Sequence, residues 1–357
     1  MKIAILTQPL LYNYGGILQN YALQCVLKGL GHDPITFDQV DWLPPRKIRI
    51  KQAILSLLSK KKTKQTNIDD EIDIFKSRHI NSTPKASSCW DFKRLYWKYK
   101  PKAIIVGSDQ VWRPQYNWGK IDKMFLSFIP NNSQIKRIAY AASFGVDEWC
   151  FSDTEKKSCS SLIQRFDAVS TREIDGIDLC KKYLNRNDVL SVLDPTMLLE
   201  REDYLDLCSD VPTVNDKMLF AYILDVDDNT KEELENIAHK CGLNLIFASA
   251  HSNCTLSIEE WLAKFRDAKM VITDSFHGTI FSIIFNKEFY TLCNESRGKT
   301  RFISLLSQFN LQDRLYNDVK SINQNTTQIN WININNIKST LKNKSLTFLS
   351  ENLTNNA

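Results

Sequence analysis

Short apolar runs separated by helical patterns recur along this chain, and that alternation limits the fold more than any other feature. KIAIL, KAIIVG, RIAYAA, DAVST and VLSVLD are strand-like runs before residue 195, and MLFAYILD, NLIFASA, MVITDS and EFYTL follow it. Helical segments lie between many of them, at 16–29, 154–165, 229–241 and 258–268. Strands that alternate with helices build parallel sheets covered by helices on both faces. At 357 residues the chain exceeds what one core supports, so two such units are expected.

The boundary falls in LSVLDPTMLL, residues 190–199, where a strand stops at Asp194-Pro195 and the pattern restarts near residue 218. Proline holds the residue before it extended, as a connector requires. The expectation is an α/β protein of two Rossmann-like domains, 1–196 and 197–316, facing across a cleft. Residues 317–357 form a helical tail packing back on the first domain, with WININNIKSTLKNKSLTFL as its helix. The final ENLTNNA is expected to fray.

Composition narrows the function. The net charge of +5 fits anionic ligands or a membrane surface and falls far short of a dedicated nucleic-acid binder. Nine scattered cysteines, odd in number and without a CxxC, read as reduced thiols with no zinc site, and no metal is expected. MKIAILTQPLLYNYGG reads as a first strand and not as an export signal. No run approaches the ~18 apolar residues of a membrane span. A cytoplasmic, soluble protein is expected. The stretch 46–65, RKIRIKQAILSLLSKKKTKQ, has eight cations, no acid and an apolar AILSLL. It suits peripheral contact with the anionic inner face of the cell membrane, and a flexible basic insertion fits equally well.

Strand-to-helix turns carry the candidate site residues, because open α/β sheets bind ligands at the carboxyl ends of their strands. In NYGGILQNYALQ, Gly15 and Gly16 open a helix whose N-terminus can hold an anion, and Asn13 and Gln19 offer hydrogen bonds suited to sugars. A glycine turn serving packing alone fits the same residues, and the stretch is not the GxGxxG of a dinucleotide site. In AIIVGSDQVWRP, Ser108, Asp109 and Gln110 end a strand as a polar cluster or as a helix cap. In DAVSTREIDG, Ser170 precedes Arg172, suited to bidentate binding of phosphate or carboxylate, or to a surface pair with Glu173. In DSFHGT, His277 can transfer a proton near neutral pH and Asp274 can orient its ring, with Ser275 and Gly278 beside it. A buried histidine satisfying nearby backbone groups is the plainer alternative. NESRGKTRF adds Arg297 and Arg301, as an anion clamp or as solvated cations.

NYGGILQNYALQ, GSDQVW, STRE, LDPTMLL and TDSFHGT, in this order and spacing, resemble the polysaccharide pyruvyl transferase family over roughly residues 1–310. The resemblance implies a GT-B-like pair of domains, with the acceptor on the side of the first. It implies an enzyme that moves the enolpyruvyl unit of phosphoenolpyruvate onto a sugar of an exopolysaccharide, capsule or cell-wall precursor, often lipid-linked, as a pyruvate ketal, with release of phosphate and no cofactor. Arg172 then matches a family anion anchor and His277 the family histidine, while Asp109 and Asp274 remain alternative bases. Several members have Arg-Leu-His where this chain has Ser275-Phe276-His277. A phosphoenolpyruvate donor therefore depends on Arg297 or Arg301 replacing the absent arginine. A GT-B glycosyltransferase using a nucleotide sugar, and a non-catalytic relative, are the competing readings.

Overall fold

The computed structural model describes residues 1–11, 13–40, 68–117, 119–214, 217–226, 228–249, 256–293, 298–322 and 327–354. Its first sheet contains β1 (Lys2–Leu6), β2 (Asp33–Thr36), β3 (Ala103–Val106), β4 (Lys136–Ala142), β5 (Ala168–Thr171) and β6 (Leu190–Ser191), in the order β2-β1-β3-β4-β5-β6. Its second contains β7 (Met218–Tyr222), β8 (Asn244–Ala248), β9 (Met270–Thr273), β10 (Glu288–Leu292) and β11 (Leu315–Tyr316), in the order β11-β10-β9-β7-β8. All these strand pairs are parallel.

Helices α1 (Tyr14–Gly29), α2 (Ile68–His79), α3 (Cys89–Tyr99), α4 (Asp153–Ile163) and α5 (Asp175–Leu184) belong to the first lobe. Helices α6 (Arg201–Leu207), α7 (Asp228–Lys240), α8 (Ile258–Asp267), α9 (Phe276–Ile284) and α10 (Lys299–Gln308) follow, and α11 (Trp331–Leu353) ends the described chain. The expected α/β architecture is present. The basic stretch 46–65 and Arg297 lie outside the described residues.

The apolar strand runs appear where the pattern places them, because strands buried on both faces have no polar side to show. Residues 3–6 of β1 and all of β3 are fully buried. Two strands escape the pattern. β2 contains Pro34, which lacks an N–H and is tolerated because β2 is an edge. β11 has two residues, too few to show alternation. β6 keeps only Leu190–Ser191 of VLSVLD, because Asp194 turns the chain into a buried single turn, Pro195–Leu198, by accepting from the Thr196 N–H at 3.0 Å.

One apolar cluster runs from β1 and α1 through to α8 and α9, so the lobes share a core. At the join the Tyr14 ring stacks on Trp261 at 5.3 Å, and its hydroxyl donates to the Leu256 carbonyl at 2.7 Å. Helix α11 lies back on the first lobe. The Leu193 N–H donates to Ser345 Oγ at 3.0 Å, and Phe348 meets the Tyr140 ring at 6.1 Å. Among the described residues no helix is long and apolar enough to cross a membrane.

Candidate active site

The turns after β1, β3, β5 and β6 meet the turn after β9 and the start of α10. His277 lies in the first turn of α9, which Ser275 caps by accepting from the Gly278 N–H at 3.2 Å. The His277 ring rests against Gly15: a Cβ there would stand 2.0 Å from Nδ1. Only glycine permits this approach of the first lobe to the second. Gly298 makes a similar contact, since a Cβ on it would stand 1.9 Å from the Gly145 carbonyl oxygen.

A buried carboxylate, Asp194, ties these turns together. Its Oδ2 accepts from Arg172 Nη1 at 2.9 Å and Ser108 Oγ at 3.3 Å, and it lies 3.6 Å from His277 Nε2. Its Oδ1 accepts from the Thr196 N–H at 3.0 Å and Thr196 Oγ1 at 2.7 Å. Burial opposes the charge, yet His277 and Arg172 hold this carboxyl well below the usual carboxylate range.

Arg172 also donates from Nε to Glu173 Oε1 at 3.1 Å, and Ser143 Oγ fixes the same oxygen at 2.7 Å. Burial works against the guanidinium, but Glu173, Asp194 and Asp109 outweigh it and raise its pKa. Phe276 brings in a second cation. The Arg172 guanidinium carbon lies 4.2 Å from the Phe276 ring centroid and that of Arg301 lies 5.3 Å from it. Burial, and then the charge of Arg172, pull Arg301 down to about 10, so it remains a cation at neutral pH. Arg172, Glu173, Asp194, Phe276, Arg301 and Gln308 contribute to the wall of a small cavity of about 10 Å³, room for about one water molecule. Arg172 Nη2 and His277 Nε2 are buried and have no hydrogen-bond partner among the described residues. Such orphaned donors are costly unless a ligand or water meets them.

The remaining sequence candidates divide clearly. Asp109 is 8% exposed, and its charge acts on both Arg172 and Arg301. Gln19 is buried and bridges Thr7 Oγ1 at 2.9 Å to the Ser108 N–H at 3.1 Å, so it braces the site from behind. Asn13 caps α1 through the Gly16 N–H at 3.2 Å. Gln110 holds Arg113 at 2.8 Å. Ser170 stands inside the sheet, where β4 shifts register between Ala139 and Ala142. Its hydroxyl donates to the Ala139 carbonyl at 3.0 Å and accepts from the Ala141 N–H at 3.1 Å. Gly278 gives α9 room against Thr273 Oγ1, 2.3 Å from where a Cβ would sit.

Asp274 holds a different turn. Its oxygens accept from the Leu224 N–H at 2.6 Å and the Asp225 N–H at 3.2 Å, and it lines a separate pocket with Asp225, Asn229 and Thr230. The carboxylate beside the histidine ring is Asp194. In sequence Asp194 stands in a connector, although a lone acid inside the apolar run LSVLDPTMLL signals a buried, partnered charge. Phe276 carries no comparable signal, and the Arg172–Glu173 pair expected at the surface is present but buried. Among the described residues no group of His, Cys, Asp and Glu side chains is placed to hold a metal ion.

The model of the polysaccharide pyruvyl transferase family matches residues 13–296. The chain belongs to that family. Arg172, Asp194 and His277 of this pyruvyl transferase relative fall within the matched span, and Arg301 lies beyond it. Among solved structures it is similar to UDP-GlcNAc 2-epimerase from Neisseria meningitidis bound to UDP-GlcNAc, at TM-score 0.53 and 10% identity, over 100% of this chain and 95% of that one. It is also similar to Phytolacca americana UGT2 complexed with UDP-2fluoro-glucose and pterostilbene, at TM-score 0.53 and 10% identity, over 98% of each chain. These likenesses establish a GT-B-like fold for the family member. No curated protein sequence matches it significantly.

Proposed function

We propose that this transferase-family protein moves the enolpyruvyl unit of phosphoenolpyruvate onto a sugar of an exopolysaccharide, capsule or cell-wall precursor. The observation that carries the reading is the pair of buried guanidiniums, Arg172 and Arg301, packed on Phe276 close to the His277 imidazole. Phosphoenolpyruvate bears a phosphate and a carboxylate, and two cationic anchors suit it. Glu173 and Asp194 hold Arg172 in place, and Arg301 brings a second buried cation to the same ring. Arg301 takes the part of the arginine absent at Ser275.

In this reading His277 protonates the methylene carbon, and a sugar hydroxyl adds to the neighbouring carbon as a base removes its proton. Asp109, whose charge acts on both arginines after that of Glu173, is the candidate base. Phosphate then leaves and a second hydroxyl adds to the same carbon, closing the ketal. Asp194 positions the imidazole. The chemistry requires no cofactor beyond the donor.

Calorimetric titration with phosphoenolpyruvate, and separately with nucleotide sugars, tests the reading. Arg301→Ala should weaken phosphoenolpyruvate binding by about 1.5–3 kcal/mol, the value of hydrogen bonds to a charged group. His277→Ala should fold normally and lose about 10²–10⁴ in phosphate release. Silence toward phosphoenolpyruvate together with saturable binding of a nucleotide sugar would transfer the assignment to a glycosyltransferase.

A further inference from the structure

Helix α3 presents a surface that the cleft does not use. Its Phe92 and Leu95 are buried under the first sheet. On the other side Trp90 and Trp97 are 63% and 62% exposed. Trp90, Lys93, Arg94, Trp97 and Lys98 recur at spacings of three and four, so they form one stripe along the helix, and all are exposed. The Arg94 guanidinium lies 4.8 Å from the Trp90 ring centroid, and Lys98 Nζ lies 5.2 Å from that of Tyr99.

The charge of this face has one sign. Residues 85–102 contain Lys85, Lys93, Arg94, Lys98, Lys100 and Lys102 against one acid, Asp91. Asp91 is committed to the helix start, where its Oδ2 accepts from the N–H and hydroxyl groups of Ser87 and Ser88 at 2.9–3.0 Å. Within this segment six cations stand against one bound acid, and the two solvated indoles share their stripe with Lys93, Arg94 and Lys98. Indoles settle at the headgroup level of a bilayer, with the ring in the apolar boundary and the N–H in water, and Lys and Arg are drawn to anionic headgroups. The phosphate backbone of a duplex would account for the cations but leave the indoles without apolar cover.

We propose that the exposed face of α3 docks the protein on an anionic lipid surface. The site is formed by described residues and is separate from the stretch 46–65. It is also independent of the reaction assigned to the cleft.

The test is co-sedimentation of the full-length protein with phosphatidylcholine vesicles, with and without phosphatidylglycerol, at low and high salt. Binding should require phosphatidylglycerol and weaken with salt. Trp90→Ala/Trp97→Ala should reduce it on the order of tenfold. Lys93→Glu/Arg94→Glu/Lys98→Glu should reduce it further, since each lost cation is worth roughly fivefold. These side chains are exposed, and circular dichroism with thermal unfolding checks that both variants fold. Failure to sediment with phosphatidylglycerol vesicles overturns the proposal, as does equal sedimentation of wild type and both variants. A third outcome also overturns it: the indole variant loses retention on a soluble acidic polysaccharide while wild type ignores vesicles, which would give the face to a glycan.

Discussion

Asp194 shows how a single residue can organise a site without a motif to announce it. It accepts from Arg172, Ser108 and Thr196 and faces His277, so four segments of chain depend on one carboxylate. Asp194→Asn removes the anion and leaves Arg172 with Glu173, and breaking a buried pair from one side costs about 3–5 kcal/mol. The pH dependence has a definite sign. The folded pKa lies well below that of an unfolded aspartate, about 3.9, so the stabilisation is complete well above that value, begins to fall near it and is lost only as pH falls on through the folded pKa. Urea unfolding of wild type and variant should therefore differ most near pH 6, and the difference should begin to narrow only below about pH 4. His277 and Arg172 were legible because they stand at turns after strands, where few other roles suit them. The pairing of Asp274 with His277 was not, because adjacency in sequence says nothing about direction. The turn before α9 sends Asp274 to the Leu224 N–H and the histidine toward the other lobe.

Elements were easier to foresee than the irregularities that shape them. The buried strand runs could be located from composition, while the register shift in β4 could not, since Ala139 to Ala142 read as an ordinary strand. Ser170 makes that irregularity tolerable by serving both the Ala139 carbonyl and the Ala141 N–H. Its place in DAVSTREIDG suggested a ligand contact, and the contact it makes is with the backbone. Ser170→Ala should leave a buried N–H and a carbonyl unmet and cost about 1–3 kcal/mol. Chemical denaturation would measure that loss. Amide hydrogen exchange should rise along β4 and β5 before it rises in the second sheet; uniform exchange across both sheets would count against this role.

At the scale of the whole molecule, alternating runs and helices sufficed to predict two parallel sheets, and the position of one lobe against the other lay beyond them. That position is set by shape: Tyr14 stacked on Trp261, and a glycine where the His277 ring arrives. Gly15→Ala should force the ring or the lobe aside, costing about 1–3 kcal/mol as overpacking does, and should depress turnover more than it depresses donor affinity. Steady-state kinetics beside urea unfolding would separate these effects; wild-type turnover in the variant would mean that the lobes adjust freely. The return of α11 has a consequence for biosynthesis. Residues 331–353 leave the ribosome after the entire second lobe, yet they cover Tyr140 and receive the Leu193 N–H in the first. A nascent chain therefore carries an uncovered apolar flank on its earliest lobe throughout the making of the later one, an obvious place for a chaperone to hold it until the strap arrives.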